Sequence, residues 1–285
     1  EVGFQQVLSR SSSLKIAGFY REQRDEITVV NVAGAYPKTY RSYGNLDFGT
    51  VKGITLTYDK RKSKNLWMKV SYTLQFAEGT GSNPGSSLAL INAGQPNLRA
   101  IFPYSYDQRH VVTATVDYRF GEGKDYNGLV IAGKKIFENT GANFTANYAS
   151  GTPYSASKFA VPIFGGVANV LEGTPNGSRR PGNFRVALQV DRNFMLKFGE
   201  KKQKTAALNV YLLVNNLFNT QNIIGVYRAT GNADDDGYLS DPQYQSIIQN
   251  QISEASFRQY YALRANNPFN YSLPRTIRIG VKLDF

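Results

Sequence analysis

The last ten residues, TIRIGVKLDF, set the tightest limit on the fold. Ile277, Ile279, Val281, Leu283 and Phe285 share one parity, and Arg278, Gly280, Lys282 and Asp284 share the other. Successive side chains of a strand point to opposite faces, so this segment has one apolar and one polar face, carried to its end. A terminal strand is usually an edge strand, and a long apolar face at an edge invites pairing with other chains. A fold containing it must cover both the face and the edge. A closed barrel in a membrane does so, with lipid on the apolar side and neighbouring strands at both edges. An amphipathic edge strand of a soluble sheet is the plainer alternative for this segment taken alone.

The same alternation recurs along the chain. Val2, Phe4 and Leu8 lead to a turn at SRSSS, and Leu14, Ile16, Gly18 and Tyr20 return. A polar connection is expected from Ile27 to Asn45. Leu46, Phe48, Ile54, Leu56 and Tyr58 follow, and from Leu66 to Phe76 parity holds over eleven positions. Further strands are expected around Val112–Phe120, Ala142–Tyr148, Phe184–Phe198, Leu208–Val214 and Thr276–Phe285, about nine in all. The stretch GLVIAGKKIF within Gly121–Asn139 has ambiguous periodicity and stays unassigned.

Connections alternate in length, except that Gly121–Asn139 is longer than the alternation expects on the short side. Ser9–Ser13, Arg61–Asn65 and Gly199–Lys204 are short; Ile27–Asn45, Glu78–Gln108, Gly151–Gly182 and Asn215–Arg275 are long. Short turns on one rim and long loops on the other are the asymmetry of outer-membrane barrels. Tyr58, Phe120, Phe198 and Phe285 fall at the short-turn ends, where an interfacial aromatic girdle would lie. An odd strand count implies a missing partner, so the 285 residues are expected to be the C-terminal portion of one larger barrel domain.

The 33 Lys and Arg against 21 Asp and Glu give a formal charge of +12. The basic residues gather in the turns DKRKSKN and GEKKQK and line no helix or platform, so nucleic acid is not the expected partner. At a membrane surface such turns would meet lipid headgroups. No run of about 18 apolar residues is present, which excludes transmembrane helices and leaves strands untouched. There are no cysteines and one histidine, His110, so thiolate chemistry and a multi-histidine metal centre are excluded. No carboxylates are paired in the pattern of a hydrolytic site, and the chain is not expected to be an enzyme.

Two local motifs stand out. Asn232, Asp234, Asp236 and Gly237 match the first half of a calcium loop, with Tyr238 able to add a carbonyl; Gln243 replaces the bidentate Glu at the twelfth position. A solvated Asp/Gly turn is the alternative. Asp241 and Pro242 then read as N-cap and first helical residue, with Tyr244, Ile247, Ile248 and Ile252 at helical spacing. The long loops carry Tyr104, Tyr106, Tyr154, Arg179, Arg180, Tyr227, Tyr238, Tyr260 and Tyr261, suited to ligand capture without naming a ligand.

The ending resembles the C-terminal insertion signal of outer-membrane barrels, with Arg278, Gly280, Leu283 and Phe285 in its four specified places. Across most of the chain, SLKIAGFYREQRDEI, GNLDFGTVKGITLTYDKR, YSYDQRHVVTATVDYRFG, YASGTPYS, LNVYLLVNNLFN and SLPRTIRIGVKLDF resemble the TonB-dependent outer-membrane receptors of Bacteroidota type. The resemblance implies an all-β, antiparallel up-and-down transmembrane barrel of roughly 22 strands, closed by an N-terminal plug that lies outside these residues. It implies active import of a nutrient such as an oligosaccharide, peptide or metal chelate, with no cofactor beyond the candidate calcium ion. Its implied partners are outer-membrane lipid and lipopolysaccharide, TonB through an N-terminal segment, and a surface lipoprotein. The alternatives are a barrel serving as a docking subunit of an outer-membrane complex, and a secreted all-β adhesin.

Overall fold

The computed structural model describes residues 1–34, 37–97, 99–165, 170–198 and 204–284. Nine long strands form one antiparallel meander: β1 Val2–Ser9, β2 Ser12–Val32, β3 Tyr40–Ser63, β4 Leu66–Gly79, β5 His110–Arg119, β6 Thr140–Ala149, β7 Asn183–Phe198, β8 Lys204–Asn215 and β9 Thr276–Asp284. Each pairs with its neighbours in sequence, and within the described residues β1 and β9 remain the two edges of an open sheet. No closed barrel forms from these strands alone.

Register decides the faces. Directly opposed residues of an antiparallel pair lie on one face, and one row runs Phe4–Ile16–Leu56–Tyr72–Val112–Tyr148–Phe184 across seven strands. A second runs Val190–Leu212–Ile279 over β7, β8 and β9. The opposite face carries the row Gln5–Lys15–Thr57–Ser71–Thr113–Asn147–Arg185. All the expected strands therefore turn their apolar parity the same way. The apolar face is the open one: Phe4, Ile54, Phe144 and Val281 are exposed, and Ile279 is 78% exposed. A soluble domain hides this face.

Two features of the sequence reading change. The polar connection expected from Ile27 to Asn45 is mostly strand, because β2 and β3 stay paired from Ile27↔Asn45 to Val32↔Tyr40. The run ITVVNV is β-branched on both parities, so β-propensity holds where alternation fails. GLVIAGKKIF contains a small hairpin, Val130–Ile131 with Lys134–Lys135. The basic turn expected at Gly199–Lys204 falls, for 199–203, outside the described residues.

The two rims differ, with two exceptions: the β2–β3 connection is only 33–39 on the long-loop rim, and 120–139 is a long connection on the short-turn rim. β1–β2 and β3–β4 close through tight turns, the latter with Lys64 at φ 56°. At this rim Phe120 packs against Tyr118, Tyr126 and Phe137, with ring centroids 5.2, 6.0 and 5.5 Å apart. Tyr58 sits at the same rim; the Phe198 side chain and Phe285 lie outside the described residues. The opposite rim carries the connections 80–109, 150–182 and 216–275.

Of the C-terminal signal, Arg278 and Gly280 lie on the polar face and Leu283 on the apolar face, opposite Leu213, Tyr211 and Leu208. The Tyr211 ring lies across Gly280, where a Cβ would collide with it. The same device recurs at Gly141, which lies under the Arg119 guanidinium. Arg119 reaches over it to Asp191 in a bidentate pair, both N–O distances 2.9 Å. We expect Gly280→Val to destabilise the fold by about 1–3 kcal/mol, and Tyr211→Ala in the same chain to recover part of that loss. Urea midpoints of the purified protein check this.

Candidate functional site

The long-loop rim is built into a cap. The connection 80–109 crosses to the edge of β2 that β1 does not reach: Val29 N–H donates to the Pro84 carbonyl at 3.0 Å, and Asn97 Nδ2 to the Val29 carbonyl at 2.8 Å. It carries α1, Leu88–Asn92. Tyr104, 1% exposed, lies over Gly49 and Gly79 on the polar face, positions where a Cβ would strike its ring or hydroxyl. Its hydroxyl donates to Glu26 Oε2 at 3.0 Å. Burial, then this carboxylate, raises the Tyr104 pKa far above its ordinary value.

Asp107 is the hub between connections. Fully buried, it accepts from the Ala77 backbone N–H at 3.0 Å and from Arg179, whose Nη1 also donates to the Asp107 carbonyl at 2.9 Å. Connection 150–182 is thereby tied to 80–109, and Asn176 Nδ2 adds a bond to the Pro103 carbonyl at 2.9 Å. Arg180 ties the same segment to connection 216–275 through the Ile224 carbonyl, 3.1 Å away.

The last connection supplies the cap's apolar centre. Asp241 accepts from Gln243 N–H at 2.9 Å, and Pro242 opens a 3-10 turn that leads into α2, Gln245–Gln249. A longer helix follows, α3, Glu254–Ala265, capped by Ser253. Tyr238, Tyr244, Ile248, Tyr261 and Ala265 pack with Ala160 into a buried cluster. Sequence reading placed α2 and missed α3, although Phe257, Tyr261 and Ala265 repeat at four-residue spacing.

The candidate calcium residues take another arrangement. Asn232 Oδ1 accepts from Asp234 N–H at 3.3 Å and Asp236 Oδ1 from Tyr238 N–H at 3.1 Å, so both are Asx turns. The carboxylates then diverge: Asp236, buried, accepts from the Tyr261 hydroxyl, and Asp234 from the Tyr271 hydroxyl at 2.6 Å. Among the described residues no group of three or more His, Asp or Glu is arranged to hold a metal ion. The donor set does not fit a calcium shell here, and with Gln243 in place of the bidentate Glu its carboxylates serve tyrosines instead.

The nine loop residues expected to capture ligand divide. Tyr104, Tyr238 and Tyr261 are buried structural members, and Arg179 is paired with Asp107. Tyr227 donates to the Ala265 carbonyl at 2.7 Å. Tyr106 and Tyr260 are exposed, the latter 73%. Tyr106 stacks on Tyr104 with centroids 5.1 Å apart, at the wall of a cleft of about 630 Å³. Glu22, Asp25, Glu26 and Asp47 also line this cleft, with Arg24 the lone cation. It is an acidic recess in a chain of formal charge +12, of the size that holds a small molecule. A second cleft, about 380 Å³, lies where the last connection meets the polar face, between Thr113, Asn147, Arg185 and Ser272. Sequence reading missed Glu26, Asp47 and Asp107, isolated carboxylates with no local motif. His110 sits at the rim, its Nδ1 2.9 Å from the Tyr72 hydroxyl.

Two outcomes follow for the cap. Tyr261→Phe removes the hydroxyl that serves buried Asp236 and should cost about 1–3 kcal/mol of local stability, read as faster amide exchange over Glu254–Ala265. Burial, then Asp236, raises the Tyr261 pKa, and burial, then Tyr244 and Asp236, raises that of Tyr238. Raised phenol pKa values stabilise the folded state below the unfolded-state value of about 10 and lose that contribution as pH climbs above it. Cap exchange should thus be insensitive to phenol ionisation up to about pH 10 and accelerate beyond it.

No protein-family profile and no curated protein matches the chain. Among solved structures it is similar to the outer-membrane transporter YddB from Escherichia coli, with 9% identity and a TM-score of 0.49, over 78% of this chain and 28% of that one. The chain thus spans little more than a quarter of that transporter's length.

Proposed function

We propose that these residues are the C-terminal part of an outer-membrane β-barrel of the TonB-dependent receptor kind, which imports a nutrient across the outer membrane. One observation carries the reading: nine strands in register present a single exposed apolar face, with a polar face behind it and the three longest connections on one rim. Lipid would cover the apolar face, and further strands of the same barrel would pair with β1 and β9. The polar face would then line the interior, and the two clefts beneath the cap would open on the route of an entering solute. Lipopolysaccharide around the belt, TonB acting through a segment outside these residues, and a surface lipoprotein on the cap are the partners this reading brings. No residue is given a catalytic role.

Cells carrying the full-length gene, with and without TonB, test the reading. The protein should sediment with the outer membrane, require detergent for extraction, and support uptake of candidate oligosaccharides, peptides or metal chelates that stops when TonB is deleted. Uptake indifferent to TonB, with the protein still in the outer membrane, would instead identify a docking subunit of a larger complex. Recovery as a detergent-free monodisperse monomer would sink both barrel readings and favour the adhesin.

A further inference from the structure

The acidic cleft beside Tyr106 holds charge that the rest of the chain does not balance. Glu22 is spent on Arg24, whose Nη2 and Nε lie 2.6 and 2.7 Å from its Oε1. Asp25, Glu26 and Asp47 are left, and no ion pair to any of the three occurs among the described residues. Arg109 and Arg179, in the adjoining connections, are committed to Glu78 and Asp107. Glu26 and Asp47 are directly opposed in the β2–β3 register, an arrangement in which like charges destabilise a strand pair. Beside them β2 bulges, setting Arg24 and Asp25 against Phe48 alone, with Asp25 in the left-handed region at φ 56°. Bulges of this kind re-aim side chains, and here all three carboxylates line one cleft.

Asp47 carries the argument furthest. It is 3% exposed; its Oδ1 accepts from the Thr80 hydroxyl at 3.1 Å, and its Oδ2 has no partner among the described residues. Oδ2 faces Gly81 in the cleft wall, where a Cβ would lie 2.6 Å from it, so glycine keeps that oxygen open. A buried charge is ordinarily paired or bound to a metal, because leaving it alone is costly. A metal does not suit these residues: no group of three or more His, Asp or Glu among the described residues is arranged to hold one. An organic cation does. Its N–H groups would supply donors to Asp47 Oδ2 and to Glu26, whose Oε2 already accepts from Tyr104. Tyr106, 52% exposed and stacked on Tyr104, adds an open ring face of the kind that attracts cations.

We propose that this cleft binds a small solute through an alkylammonium or guanidinium group, held by Asp47 and Glu26 with the Tyr106 ring beside it. That such a solute is what the protein imports rests on the transport reading; the binding site itself does not. The cleft, about 630 Å³, leaves room for the remainder of the solute.

Calorimetric titration of the purified full-length protein tests the site, with N-acetyl-arginine amide, N-acetyl-lysine amide and the neutral N-acetyl-citrulline amide as probes. At least one of the two cations should bind roughly tenfold or more tightly than the citrulline amide, the factor a charge-assisted hydrogen bond supplies. Asp47→Asn keeps an acceptor for Thr80 and should remove that discrimination. Glu26→Gln keeps an acceptor for Tyr104 and should weaken the cation while leaving the citrulline amide unchanged, an independent reading if the first variant does not fold. Equal affinity of wild type for the three amides overturns the site, as does discrimination that survives both variants, or saturation by Ca²⁺ alone that the amides do not displace. Uptake by cells carrying the full-length gene keeps the two questions apart. If the purified protein binds a cationic amide that cells with TonB do not import, the cation is not the cargo and the site stands. If TonB-dependent uptake of another nutrient occurs while wild type binds the three amides alike, the site fails and the transport reading stands.

Discussion

Side-chain alternation with period two, kept in phase across eight successive strand pairings, is the constraint on which everything else depends. A slip of one residue in any pairing would transfer that strand's apolar set to the polar face. The phase is kept: Ile16, Leu56 and Tyr72 fall in one row, and Lys15, Thr57 and Ser71 in the adjacent row on the other side. Burial of an apolar side chain is worth roughly 25 cal/mol per Å², and in water this face would forgo that gain over its whole extent. The apolar face of the described sheet thus gains most of its burial only when something outside these residues covers it.

The polar face and the cap follow different rules from the belt. On the polar face, glycines admit long side chains from neighbouring strands: Tyr211 over Gly280, and Arg119 over Gly141 on its way to Asp191. In the cap, carboxylates are hydrogen-bonded mostly by hydroxyl and amide donors. Glu26 with Tyr104, Asp236 with Tyr261 and Asp234 with Tyr271 each join segments far apart in sequence. Such charge-assisted bonds are stronger than neutral ones and depend on side-chain reach, so the cap is fastened by contacts that leave the belt alone. The buried aromatic cluster on α2 and α3 then gives the cap a small core separate from the sheet.

How much of this was legible follows from the range of each interaction. Strand parity is local, so all nine strands and the alternation of short and long connections could be read, and register then joined them as the pattern implied. The β2–β3 extension was misread because Ile27–Val32 alternates poorly, and its strand state is held by pairing with Tyr40–Asn45, which single-segment periodicity does not contain. The cap was opaque for a related reason. Tyr104 and Tyr261 look like ligand-binding aromatics in sequence, yet a partner 78 residues away in one case and 25 in the other buries them. Asp234 and Asp236 resembled metal ligands until the hydroxyls they serve were in place.

The β2–β3 hairpin carries one more implication. Beyond the pair Tyr20 and Lys52, β2 runs on to Val32 and β3 begins at Tyr40. Twelve residues at about 3.3 Å each give a paired ribbon of roughly 40 Å beyond Tyr20. Connection 80–109 braces it by closing the edge that β1 leaves free, through Val29 and Pro84. The outer half of this hairpin is therefore held along one edge by a loop and not by a strand, so its stability is tied to the 80–109 connection and not to the sheet order.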